Sequence, residues 1–404
     1  MTITPTRPAV ELAGDQAHAI NAAQRWYQNG GQQPFLIYGP AGTGKTTIAR
    51  RIADLCAPDK TVFVAMTGKA ASVLEDKGCS ARTVHSAIYS PKGASPEVRE
   101  LRRVRAELAA AAEPDPAKLK AVTAQIKAAG GGLFAPKDPT LAFDGTRPRL
   151  IVVDEGSMVS AQVAADLAAL HIPTLVLGDP YQLPPVMGRP GYPSTPDVAL
   201  HTIHRYAGPL LELATAARTR QPLAAYTRHT LAGRYRGPYD ISLLGRFDQV
   251  IVHRNTTRWD LIRGIRAAQG RQPGQPSPGD KIMVIRNDAE YSVVNGQQEV
   301  AVDVHPLGDG NWMIRTHTDS TWIVDGRGFL GPEQQQIAKD DRDSGAIAAT
   351  FCQAITCHAA QGSEWRDVAV IDESPSPEWL YTAVTRAQRE CIVLSRKPNH
   401  GATQ

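Results

Sequence analysis

One short stretch constrains this chain more than any other: GPAGTGKTT, from Gly39 to Thr47, between the apolar run FLIY (35–38) and the helical pattern TIARRIADLC. Glycines at a strand-to-helix turn let the backbone wrap closely around phosphates, and the helix N-terminus adds oriented N–H groups and partial positive charge. Gly39, Pro40, Ala41, Gly42, Thr43, Gly44, Lys45, Thr46 and Thr47 therefore form a candidate nucleotide-binding loop. Lys45 is placed to reach the outer phosphates of ATP and Thr46 to ligate Mg²⁺. Such a loop belongs at the C-terminal end of a strand in a parallel α/β sheet.

The matching acidic element is LIVVDEGSM. Asp154 ends an apolar strand, where it can hold the Mg²⁺ shell, and Glu155 beside it can orient the attacking water. Phosphoryl transfer also needs cations over the transferred group, and a motor brings them from another domain so that closure completes the site. Arg205 and Arg386 are the candidates. Further strand signals occur at TLVLGD (174–179), QVIVH (249–253), KIMVI (281–285) and VAVID (368–372), which gives two α/β regions.

Two stretches interrupt this alternation. Residues 91–148 shift to Pro, Gly, Ala and charge, with helix-forming runs at 97–112 and 117–129, and read as an inserted helical hairpin. Arg99, Arg102, Arg103 and Arg105 make one of its helices basic, either as a solvated face or as a contact for nucleic-acid phosphates. Residues 286–345 read as short β segments (QQEVAVDVH, NWMIRTH, STWIVD) joined by Gly-rich turns, a small inserted barrel.

Composition excludes several classes. A net charge of +4 suits a polyanionic partner without requiring one. No apolar run is long enough to cross a bilayer, and MTITPTRPAV lacks a signal-peptide layout, so a cytoplasmic protein without membrane contact is expected. The five cysteines are few and odd in number, which suggests reduced thiols. Cys352, Cys357 and His358 lie close together without a second ligand pair, and HTIH (201–204) lacks the glutamate of a zinc hydrolase, so neither indicates zinc.

With these motifs in order, nearly the whole chain resembles the class B group of the superfamily 1 helicases, which includes Dda-like and RecD-like proteins. The resemblance implies two RecA-like parallel-sheet motor domains, the first at 1–90 and 149–198 and the second at 199–285 and 346–404. It implies a wedge-like helical insertion at 91–148 and an SH3-like β insertion at 286–345. ELAGDQAHAI resembles the adenine-reading segment and puts Gln16 at the base. MTGKAASVL and TVHS resemble motifs of the single-strand track, with Thr67, Lys69, Thr83 and His85 as contacts. GDPYQLPPV resembles the coupling motif, in which Gln182 senses the γ-phosphate and Asp179 joins its network.

LHTIHRYAGPLLELATAAR resembles the segment that brings Arg205 to the γ-phosphate, and Asn295 and Gly296 resemble a turn at the entry to the SH3-like insertion. ITCHAAQGSEWRDVAVID resembles the motif that meets DNA and nucleotide, through His358, Gln361, Gly362, Ser363 and Glu364. YTAVTRAQ resembles the final motif and makes Arg386 the arginine finger. One departure is Ala359, where many relatives carry a basic residue after the histidine; it removes a phosphate contact.

The expected activity is an ATP-dependent DNA helicase that travels 5′ to 3′ on single-stranded DNA and opens duplexes at single-strand/duplex junctions. It would act as a monomer, beside replication or recombination proteins. Three alternatives stay open: an RNA-directed motor, a translocase that strips proteins, and an ATP-switched clamp. Trp312, Trp322 and Trp365 could stack on bases, although core packing is the default for each.

Overall fold

The computed structural model describes residues 13–91, 100–101, 104, 118, 121–122, 125, 134–137, 142–186, 188–204, 208–235, 241–288, 291–341, 344–374 and 376–395. The runs FLIY, LIVV and TLVLG are buried along their whole length, as strands covered on both faces must be. They lie inside a six-stranded parallel sheet ordered Ala81–Thr83, Thr61–Ala65, Leu150–Val153, Thr174–Gly178, Phe35–Tyr38 and Val198–Ala199. Helices Gly14–Gln28 and Lys45–Cys56 present Ala19, Ile20, Ala23, Ile48, Ala49 and Ile52 to one face of that sheet.

A second parallel sheet of five strands runs Ala354–Thr356, Gln249–Val252, Trp365–Asp372, Ala387–Ser395 and Ala232–Arg234. The third sheet has five antiparallel strands: Thr321–Val324, Trp312–Thr316, Gln298–Pro306, Lys281–Val284 and Ala349–Phe351. Its sequences alternate buried and exposed residues, most clearly in Thr321–Val324. A bridge from Val324 to Ile347 brings its two ends together, so the segment curls into a small barrel. Trp322 lies in its core, and Trp312 packs at the edge of the same cluster. Trp365 packs against the core of the second parallel sheet.

One strand differs from expectation. Lys281–Val284 reads as part of the second parallel region, but it pairs antiparallel with Gln298–Pro306 and Ala349–Phe351. A short apolar run cannot declare which sheet it joins; partners distant in sequence decide that. Most of the 91–148 insertion, including Arg99, Arg102, Arg103 and Arg105, lies outside the described residues. At its base, Tyr89–Pro91 pairs antiparallel with Phe134–Pro136. Among the described residues no disulfide forms: Cys79, Cys352, Cys357 and Cys391 are buried thiols and Cys56 is partly buried. None of their helices is long and apolar enough to cross a membrane.

The barrel is fastened to the second parallel domain by a buried charge cluster. Asp280, fully buried, accepts from Arg266 Nε (3.0 Å) and NH2 (3.0 Å), from Arg271 (2.5 Å), from the Gln353 amide (2.7 Å) and from the Ser277 N–H (2.8 Å). This joins helix Asn255–Ala268 to the start of strand Lys281–Val284. Removing one partner of a buried pair strands the other charge, which costs about 3–5 kcal/mol. Asp280→Ala is therefore expected to lower stability in urea unfolding by about that amount. Asp260→Ala, which breaks an exposed contact with Arg263 (3.6 Å), should change it little.

Candidate nucleotide site and nucleic-acid cleft

The phosphate-binding loop turns through left-handed backbone at Gly42 (φ +87°) and Gly44 (φ +80°), a conformation that side chains disfavour. A Cβ at Gly44 would also stand 2.8 Å from the Gln16 amide nitrogen. Gln16, on the first helix, donates from that nitrogen to the Thr43 carbonyl (3.0 Å), so the residue expected at the adenine is fixed against the loop. Lys45 Nζ donates to the carbonyls of Gly39 (2.7 Å) and Pro40 (3.0 Å), which holds the ammonium over the loop. The Thr43 hydroxyl donates to the Pro40 carbonyl (3.0 Å) and closes the turn.

Opposite stands the acidic pair. The Thr46 hydroxyl donates to Asp154 Oδ2 (3.3 Å), and Asp154 Oδ1 accepts the Glu155 N–H (2.9 Å). Glu155 follows the strand in left-handed backbone (φ +53°), a strained conformation of the kind that accumulates at functional sites. Desolvation raises its pKa above the ordinary carboxylate range and Asp154 adds to the rise, while Arg386 and Lys45 pull it down.

Ala41, Gly44, Lys45, Thr46, Thr47, Asp154, Glu155 and Gln182 from the first domain share this cleft with Gly362, Glu364 and Arg386 from the second. Arg386 is buried, with its guanidinium donating to the carbonyls of Thr382 (3.1 Å) and Ser363 (3.4 Å) and to the Thr385 hydroxyl (3.2 Å). Gly362 lets the domains meet here: a Cβ would lie 2.7 Å from the Ala70 Cβ. Asp179 and Gln182 are buried together, joined at 3.4 Å, and the Gln182 Oε1 atom has no hydrogen-bond partner among the described residues.

Arg205 lies outside the described residues. The segment before it is tied to the loop: His201 and Thr202 donate backbone N–H groups to Asp15 Oδ2, and the His204 N–H donates to the Gly42 carbonyl (2.8 Å).

The oxygen donors at Thr46 and Asp154 suit Mg²⁺, which takes one or two protein oxygens together with substrate phosphates and water. Among the described residues no cluster of three or more His, Cys, Asp or Glu side chains could hold a metal by itself.

A second cleft collects Thr67, Lys69, Asn295, Gly296, His358, Ala359 and Gln361 from the first domain, the barrel and the second domain. Gln361 is buried, and neither side-chain amide atom has a partner among the described residues. Burial lowers the His358 pKa, and His253 adds to the effect, so the ring is neutral at pH 7. Thr83, His85 and Ser363 do not line this cleft. Thr83 caps a short helix by accepting the Ser86 N–H (3.1 Å), His85 stacks on Tyr89, and Ser363 is buried.

Two residues escaped sequence reasoning. Arg258 reaches the second cleft from helix Asn255–Ala268, held by the Gln335 amide oxygen (3.0 Å), the Thr350 hydroxyl and the Phe351 carbonyl, and burial pushes its pKa down to about 10. Tyr381 hydrogen-bonds across the domains to Asp179 (2.8 Å) and Ala41 (3.0 Å). In the sequence Arg258 looks like an ordinary member of an amphipathic helix, and Tyr381 heads YTAVTRAQ with nothing local to show which partners it meets.

The AAA domain family model matches residues 11–232, more than half of the 404, and the model of the UvrD-like helicase C-terminal domain matches residues 351–394. No curated protein matches the chain. Bacteroides Pif1 bound to ssDNA is similar in structure, with 16% identity, 95% of this chain and 92% of that chain covered, and a TM-score of 0.54. The Pif1 helicase from Candida albicans gives 16%, 95% and 94%, and 0.52. Bacteroides Pif1 with ADP-AlF3 and ssDNA gives 16%, 96% and 93%, and 0.54. The shared feature is a fold with two RecA-like parallel-sheet domains.

A Glu155 that served as the water-orienting carboxylate would have to be ionised, so its raised pKa would place the acid limb of turnover above the ordinary glutamate range, with activity lost as pH falls through it. Arg386→Ala removes a cation that lowers this pKa, so the acid limb of its residual kcat profile should move to higher pH; an unmoved limb would contradict the assignment.

Proposed function

Because this chain belongs to the AAA-domain family and carries a UvrD-like helicase C-terminal domain, we propose that it is an ATP-dependent DNA helicase that moves 5′ to 3′ on single-stranded DNA and opens duplexes from single-strand/duplex junctions. The observation that carries this reading is the cleft in which Lys45 and Glu155 of one domain and Arg386 of the other act on the same small volume. A protein that only bound ATP would have no use for a hydrolytic carboxylate completed by a cation from a second domain.

In this reading Gln16 meets the adenine, the loop from Gly39 to Thr47 cradles the phosphates, and Lys45 neutralises the outer ones. Thr46 and Asp154 hold Mg²⁺, which when bound offsets charge on the phosphate oxygens. Glu155 would orient a water for in-line attack: the water oxygen bonds to the terminal phosphorus as the bridging P–O bond breaks and ADP leaves, and the water's proton passes to the Glu155 carboxylate. Arg386, with Arg205 as the second proposed cation, stabilises charge spread over the transferred group. Gln182 and Asp179 sense the terminal phosphate, and Gly362 and Glu364 complete the wall on the second domain's side.

The second cleft is the proposed track. Thr67, Lys69, Asn295, His358 and Gln361 would meet the strand there, with Thr83, His85 and Ser363 proposed nearby. Arg258, a buried cation lining the same cleft, would be a basic group to hand where Ala359 supplies none. Backbone contacts of this kind give slight sequence preference and strong salt dependence.

Unwinding of matched duplexes with either a 5′ or a 3′ single-stranded tail tests the proposal. Wild-type protein should open the 5′-tailed duplex in the presence of ATP, and Lys45→Ala should open neither. Opening of only the 3′-tailed duplex would overturn the direction, and full activity in Lys45→Ala would overturn the site.

A further inference from the structure

One side chain outside the roles above touches both halves of the coupling apparatus. Tyr381 lies on helix Pro377–Val384 of the second domain and is 2% exposed. Its hydroxyl donates to Asp179 Oδ2 (2.8 Å) and accepts the backbone N–H of Ala41 in the phosphate-binding loop (3.0 Å). The same carboxylate oxygen takes the Gln182 amide (3.4 Å), and its partner oxygen accepts the Tyr181 N–H (3.1 Å). One hydroxyl therefore joins the loop expected to hold phosphates to the segment that carries Gln182, and it does so from the opposite domain.

The neighbouring residue extends the connection. The Thr382 hydroxyl accepts the Leu183 N–H (3.1 Å), and the Thr382 carbonyl accepts from Arg386 Nε (3.1 Å). Displacement of the Tyr381–Thr382 turn thus moves the atom against which Arg386 rests. The Ala41 N–H belongs to the loop expected to hold phosphates, so the Tyr381 hydroxyl is bonded directly to that loop's backbone.

We propose that Tyr381 is a positioning residue that couples occupancy of the phosphate-binding loop to the placement of Gln182 and Arg386, through a hydroxyl shared between the two domains. The inference rests on the reading of the chain as an ATP-driven motor. When the loop changes its hold on Ala41, the hydroxyl re-partitions between the amide and Asp179, and the end of helix Pro377–Val384, against which Arg386 is hydrogen-bonded through the Thr382 carbonyl, follows. The ring itself is kept in place without the hydroxyl, by burial and by an edge contact with Tyr181 at 6.3 Å between centroids.

Tyr381→Phe in the full chain removes the shared oxygen and leaves the ring and the Thr382 contact. ATP turnover on oligo(dT), the KM for ATP, and the ATP consumed per nucleotide advanced are to be measured, together with amide exchange of the 39–47 loop. The expected result is a kcat lower by roughly three- to tenfold, with KM for ATP within about twofold, more ATP used per nucleotide, and faster exchange at Ala41. Wild-type kcat and coupling would overturn the inference. So would a variant whose only defect is a lower melting temperature, with normal turnover when assayed well below it. If the wild-type protein itself shows no stimulation by oligo(dT), the motor reading falls and takes this inference with it; stimulation in the wild type with an unchanged variant removes the inference alone.

Discussion

The closeness of the phosphate-binding loop to its surroundings is the constraint on which the rest of this structure depends. Its backbone passes through left-handed conformations at Gly42 and Gly44, which side chains disfavour. Because the loop is bare, other elements can approach it at hydrogen-bond distance: Gln16 from the first helix, His204 from the segment leaving the first domain, and Tyr381 from the second. The two domains are thereby registered against one small piece of backbone. A similar economy recurs at Gly362, where the lack of a side chain lets the second domain rest on Ala70.

From that registration the electrostatics follow. Desolvation and the neighbouring Asp154 raise the Glu155 pKa, while Arg386 and Lys45 pull it down. Those two cations come from different domains, so the ionisation of one carboxylate depends on how the domains sit. A cation contributed by each domain makes the field at that carboxylate sensitive to how the domains sit, which suits chemistry linked to domain closure.

Much of this was legible in the sequence, for identifiable reasons. FLIY, LIVV and TLVLG declare themselves because strands covered on both faces need continuous apolar runs, and the glycine spacing of the loop has few other uses. Lys281–Val284 reads as part of the second α/β region, yet it joins the antiparallel sheet, because its burial is set by the strands it pairs with and not by its own short apolar run. Arg258 looks like an ordinary helix residue, and Tyr381 like one more apolar position of YTAVTRAQ, until a partner from another segment is placed against each. The Asp280 cluster was invisible for a related reason: Arg266, Arg271 and Gln353 meet only after the chain has folded. Local rules read periodicity and turn chemistry well, and they cannot read contacts made across domains.

Coupling of turnover to domain movement requires that the one ATP site be completed by a cation from the second domain. Arg386→Ala tests it most directly, by measuring single-strand-stimulated ATP turnover beside the affinity for a fluorescent ATP analogue. The account predicts retained nucleotide binding with turnover reduced at least about a hundredfold, as expected for a cation that acts on the transferred phosphoryl group. Turnover within a few-fold of wild type, in a stably folded variant, would contradict it.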